Sequence, residues 1–146
     1  MTIKFIFQST LISPTKNENK QKKDFDEMQK KYKEEVGQGQ PGKNPKGNVT
    51  KQTEWVFFDR ETLQNILDQA DQDGKTGGIK FYLTEYTESL ANQWHPKDPD
   101  EYSGSITLVL KAANLKNGKP VDVESINQED VEYDNDGVKC PPTCQF

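Results

Sequence analysis

Apolar side chains are spread so unevenly along this chain that only part of it can build a core unaided. Between residues 15 and 54 the sizeable apolar side chains are Phe25, Met28, Tyr32, Val36 and Val49. Nearly all other core material lies from Trp55 onward. A chain of 146 residues suits one domain with a modest core. Its hydrophobic content of 31% is low for a globular chain, as an unpacked segment would make it. Two parts are therefore expected. Residues 1–53 hold an N-terminal strand, a polar Lys-rich helix and a Gly/Pro linker. Residues 54–146 form an α+β core domain with a Cys-containing tail. An arm that buries so little is expected to be separable from that core by limited proteolysis.

The charges divide at the same place. Residues 1–54 hold eleven Lys and seven acidic side chains, a net of +4, and residues 55–146 hold eight basic and seventeen acidic, a net of −9, which together give the formal −5. An acidic surface repels phosphate, and Arg60 is the one arginine, so the bidentate fork that reads bases is nearly missing. Nucleic acid is not expected as a partner. No stretch reaches the ~20 apolar residues of a membrane span. The apolar start, Ile3-Lys4-Phe5-Ile6-Phe7, is short for a signal-peptide core and carries a Lys within it, so it is read as a strand in a cytoplasmic protein.

Periodicity places the elements. Phe25, Met28, Tyr32 and Val36 form one narrow stripe for a helix within residues 18–36, to dock on the protein's own core or on a partner. The glycines from Gly37 to Gly47 read as a flexible connector. Trp55-Val56-Phe57-Phe58 suits a strand, followed by Asp59 as N-cap and by Leu63, Ile66, Leu67 and Ala70 as the buried face of the principal helix. Gly74, Gly77 and Gly78 end that helix. Residues 79–86 read as a strand with Ile79, Phe81 and Leu83 on one face and Tyr82 and Tyr86 on the other. Residues 87–104 read as a long polar loop, and residues 106–110 as a further strand before the Asn117-Gly118 turn. The fold class expected is α+β, a small and mainly antiparallel sheet with one principal helix packed on it.

Several motifs stop short of a site. Gly37-x-x-x-x-Gly42-Lys43-Asn44 lacks the Ser or Thr of a phosphate loop and runs into Pro45. Asp71-Gln72-Asp73-Gly74 and Glu132-x-Asp134-x-Asp136-Gly137 place Lys80 and Thr143 where a calcium loop needs its bidentate Glu. His95 is the one histidine, and it sits in Trp94-His95-Pro96, away from any nucleophile elbow. Zinc held by His95, Cys140, Cys144 and a carboxylate would lack a second close ligand pair. Cys140 and Cys144 enclose three residues, two of them proline, where redox enzymes enclose two at a helix start; a terminal clip with reduced thiols is expected. No cofactor and no metal is expected.

Glu54-Trp55-Val56-Phe57-Phe58, Gly78-Ile79-Lys80-Phe81-Tyr82, Ile106-Thr107-Leu108-Val109-Leu110 and the terminal Cys140-Pro141-Pro142-x-Cys144 occur together. As a set they resemble a group of small bacterial proteins common in Bacteroidetes, over residues 54–146 only. The resemblance implies a bacterial origin and a shared fold. It supplies no activity and no catalytic residues.

The function expected is a non-enzymatic protein-interaction module, an accessory or regulatory subunit of a bacterial assembly, with a protein partner or self-association. Leu90, Trp94, His95 and Tyr102 are the partner-binding candidates, because aromatics in a long polar segment are the type enriched at interface hot spots. The same aromatics could instead fold back and plug the sheet. One alternative is a small hydrolase using Glu85, Glu88, Asp98 and Asp100, which requires buried carboxyls held apart in pKa. Another is an immunity or antitoxin-like protein whose acidic face covers a basic partner.

Overall fold

The computed structural model describes residues 22–70, 76–123 and 138–144. The strand expected at residues 3–7 and the calcium-like runs 71–74 and 132–137 lie outside them. The architecture is α+β, with three helices and three small antiparallel sheets among the described residues. In chain order these are α1 (Lys22–Glu34), β1 (Lys43–Asn44), β2 (Gly47–Asn48), β3 (Trp55–Phe57), α2 (Arg60–Leu67), β4 (Gly77–Glu85), α3 (Glu88–Trp94), β5 (Ile106–Lys116), β6 (Lys119–Asp122) and β7 (Val138–Cys140). Single 3-10 turns follow α1 at Val36–Gln38 and α3 at Pro99–Glu101.

The central sheet runs β4-β5-β6, and β4 pairs with β5 without a slip from Gly77 opposite Asn114 to Glu85 opposite Ile106. Asn117, at φ 54°, and Gly118, at φ 78°, form the tight turn into β6, as Asn-Gly does in two-residue hairpins. Directly opposed residues share a side of the sheet. Lys80, Tyr82, Val109 and Lys111 thus face one way, and Ile79, Phe81, Leu110 and Ala112 the other.

Each face carries its own core. Phe25, Met28, Leu90 and Val109 are buried together on the first face, with Tyr82 and Trp94 packed against them. Phe25 meets the Tyr82 ring edge-on at 5.0 Å. Helix α1 is thereby docked on the sheet, and the arm expected to be separable is joined to the core through its own apolar stripe. On the second face Ile66 of α2 and Ala70 just beyond it are buried against Leu110 and Ala112, with Phe58, Leu63, Ile79, Leu108 and Val123 around them. Asp59 caps α2 by accepting the Thr62 N–H at 2.8 Å.

Four expectations are corrected. Leu67, assigned to the buried face of α2, is 41% exposed, whereas Ile66 is 2% exposed. A helix of two turns covers a narrow strip, and Leu67 lies at its margin. The segment 87–104 contains α3, capped by Thr87, whose Oγ1 accepts the Leu90 N–H at 3.1 Å. The Gly-rich connector is docked. Val49 N–H donates to the Gly42 carbonyl, and Gln52 bridges the Gly104 carbonyl and the Ile106 N–H. A Cβ at Gly42 would stand 1.9 Å from the Gly104 carbonyl oxygen, so the two backbones touch. Last, Cys140 and Cys144 are joined in a disulfide, where reduced thiols were expected.

Ile66→Asp places an unpaired charge in the α2 core and should cost at least about 4 kcal/mol, enough to unfold a domain of this size. Leu67→Asp should change stability by less than about 1 kcal/mol. Urea denaturation of both variants checks the pair. Equal loss in the two would place both residues in the core.

Candidate functional site

The chemistry-bearing side chains gather where the linker meets the ends of β4 and β5. Lys31 in the last turn of α1 and Glu35 just after it are four residues apart, so Lys31 Nζ reaches Glu35 Oε2 at 3.0 Å. The turn that follows brings the Val36 N–H to Glu85 Oε1 at 3.1 Å, and the Lys43 N–H donates to Glu35 Oε1 at 2.8 Å. Glu85 closes β4 and is 0% exposed. The two carboxyl groups hydrogen-bond to one another. Glu85 Oε2 is buried and has no hydrogen-bond partner.

Burial, and after it the Glu35 carboxyl, push the Glu85 carboxyl up to about 8, against the opposing pull of the Val36 N–H and Lys31. Burial alone would also raise Glu35. The hydrogen bonds from Glu85, Lys31 and the Lys43 N–H outweigh it and hold Glu35 below its ordinary 4.5. The two carboxyls are thus pushed in opposite directions, Glu85 up and Glu35 down. A Cβ at Gly42 would also lie 3.3 Å from Glu85 Oε2, so the linker backbone seals the pair.

A second cluster holds three of the four partner candidates. His95 and Tyr102 are stacked, with ring centroids 3.5 Å apart and planes 2° from parallel. Tyr86, buried, meets the edges or faces of Trp94, His95 and Tyr102 at 5.3–6.5 Å. Lys139, 2% exposed, lies with its ammonium 5.0 Å from the Tyr102 ring centroid and donates to the Pro141 carbonyl. Burial pushes this lysine down to about 8, partly offset by Glu101. Tyr102 is raised by burial first and by Asp98 and Glu101 after it.

Leu90 sits in the core with Phe25 and Met28 and presents no surface to a partner. Trp94 packs beside it. His95 and Tyr102 are half-buried. The segment therefore folds back on the sheet, the second of the two outcomes open to it. The proposed hydrolase carboxylates separate. Glu88 and Asp98 are exposed, and Asp100 pairs with Lys46 at 3.3 Å, whereas Glu85 pairs with Glu35. The disulfide occupies both sulfurs that a zinc site would have used. On the far end of the sheet Asp122 binds Lys80 at 2.9 Å, Lys111 at 3.1 Å and the Tyr82 hydroxyl, an ion-pair hub that ties β6 to β4 and β5.

Two groups of large apolar side chains stand outside the cores. Phe81 and Leu83 of β4 are 49% and 48% exposed on the α2 side of the sheet. Trp55 and Phe57 of β3 and Val138 of β7 share one face of the β3–β7 ribbon, with Phe57 at 57% exposed. Comparison with protein-family models, with characterised proteins and with solved structures finds no match for this chain.

A carboxyl whose folded pKa is raised binds more protons in the folded than in the unfolded state between its two pKa values. The Glu85 contribution is thus greatest below its ordinary 4.5 and is lost as pH rises to about 8. Glu85→Gln keeps a donor toward Glu35 and an acceptor for the Val36 N–H without a titrating proton. The variant should lose less melting temperature than the wild type between pH 5 and pH 8.5, and identical slopes would show that Glu85 titrates normally. Trp94→Ala should cost about 3 kcal/mol in thermal melting, as removal of a packed aromatic does. Unchanged melting would return Trp94 to the surface.

Proposed function

We propose that this chain is a non-enzymatic protein-interaction module, an accessory subunit of a bacterial assembly, and that its contact surface is the apolar set outside the two cores. The observation that carries this reading is the half-exposure of Trp55, Phe57, Phe81, Leu83 and Val138 on strands whose other residues are packed. Solvent-facing apolar groups of this size on regular strands are the mark of a surface that is covered when the protein works. Tyr102, beside Lys139 of β7, stands behind the ribbon's part of that surface. His95 and Tyr102 form at most its rim.

The hydrolase reading has one observation in its favour, the two carboxyls with divergent pKa values. Against it stands the burial of Glu85, since a general acid must reach the substrate atom it protonates. As to location, the Cys140–Cys144 disulfide favours an oxidising compartment over the cytoplasm. No helix among the described residues is long and apolar enough to cross a membrane.

The test is capture from a lysate of the native host with the wild type and with Trp55→Ser/Phe57→Ser, checking both for equal melting temperature. A stoichiometric partner held by the wild type should be lost from the double variant, at a cost of about 2 kcal/mol or more. Retention of every partner by a stably folded double variant would overturn the assignment of the ribbon.

A further inference from the structure

We propose that Glu85 works a proton-controlled clasp: protonated, it holds residues 36–49 against the end of the sheet, and on losing its proton it lets that segment lift while the β4–β5 ladder stays paired. The clasp is independent of the interaction reading above.

The geometry of the site favours a neutral acid. Glu85 is the last residue of β4 and is 0% exposed. Its Oε1 accepts the Val36 N–H at 3.1 Å, while its Oε2 is buried with no partner among the described residues. A carboxylate left dry on one oxygen is costly. The cation closest at hand is engaged elsewhere, because Lys31 Nζ lies 3.0 Å from Glu35 Oε2. Glu35 itself brings a second carboxyl to Glu85. The charged groups facing Glu85 are thus Lys31 from α1 and Glu35 from the turn after it. The other neighbours bring no charge. Gly42 and Gly104 present backbone, and β5 sets Ile106 opposite. Lys43 gives its backbone N–H to Glu35, with its side chain exposed.

What covers Glu85 belongs to one stretch of chain. Val36 sits on Oε1, and a Cβ at Gly42 would lie 3.3 Å from Oε2. Val49 N–H closes the same stretch on the Gly42 carbonyl at 2.7 Å. Residues 36–49 contribute no side chain to either apolar core. Their printed ties to the 99–104 turn are few: Asn44 Nδ2 on the Asp100 carbonyl at 3.3 Å, and an exposed Lys46–Asp100 pair that solvent screens. Helix α1 has its own anchor in Phe25 and Met28. Water can therefore reach Glu85 by a local opening, without separating β4 from β5.

In the closed form burial and then Glu35 push Glu85 up to about 8, against the Val36 N–H and Lys31. In the open form the carboxyl meets water and returns toward its ordinary 4.5. The closed form binds the extra proton between those values, so closure is strongest below 4.5 and weakens as pH rises to about 8.

Amide hydrogen exchange of the full chain at several pH values from about 5.5 to 7.5, corrected for intrinsic rates, reads the opening directly. The Val36, Lys43 and Val49 amides should open about tenfold more for each pH unit, the change expected for one linked proton. The β4–β5 ladder amides, which open only with the whole domain, should stay more protected at every pH. Glu85→Gln should remove the pH dependence from the three linker amides. Linker opening that ignores pH, an equal slope in Glu85→Gln, or linker amides no less protected than the ladder would each overturn the proposal. If Glu85→Gln fails to fold, the Glu85 carboxyl carbon of the wild type decides by NMR. Titration near 8 together with linker opening supports the clasp, and titration near 4.5 removes it.

Discussion

Among the described residues, the antiparallel ladder between β4 and β5 is the one long-range pairing that commits nine consecutive residues to a fixed register. Because side chains alternate across a strand, this register decides at a stroke which residues face α1 and which face α2. A shift by one position would turn Tyr82 and Val109 away from Phe25, and Leu110 and Ala112 away from Ile66. With apolar residues this few, neither small core could be rebuilt from the opposite face. Both helices depend on a single hairpin-like pairing whose connection contains α3.

The join between arm and sheet is held by two different kinds of force. Phe25 and Met28 supply apolar contact along the middle of α1, and a polar knot fastens its end. Exposed pairs such as Lys22 with Asp26 add little, because solvent screens them. Lys31 and Glu35 are different, being mostly withdrawn from water and continued by a backbone N–H and a second carboxyl. Burying such a group without partners would be costly. Burial and the neighbouring Glu35 raise Glu85, so Glu85 is the member of the knot that gives up its charge more readily.

Much of this was legible in the sequence, and the omissions have physical causes. Asp59 as a cap, the helix behind it and the alternation of residues 79–83 and 106–110 are local signals, and the elements lie where they point. Helix α3 was read as loop, since seven residues offer too few turns for a period to show, although Thr87 as cap with Leu90, Ala91 and Trp94 on one side marked it. The stripe Phe25, Met28 could be seen, but its acceptor on the sheet belongs to Tyr82 and Val109, far away in sequence. Glu35 with Glu85 had no signal at all. Only the fold brings them together, and the i, i+4 pairing of Lys31 with Glu35 gives a bland surface explanation for one of the two. Leu67 was misplaced because a helical stripe four positions wide exceeds what a two-turn helix covers.

The touching backbones of Gly42 and Gly104 divide the chain into stretches whose length can drift and points where it cannot. A loop's closure entropy grows only slowly with its length, and the tip between β1 and β2, with Pro45 and Lys46 exposed, could accept additional residues at small cost. At Gly42 and Gly104 even one methyl group meets main-chain atoms that have nowhere to retreat. Related chains should therefore vary in size at the hairpin tip and keep glycine at both crossing points, making that pair a better marker of common descent than the Lys-rich surface around it.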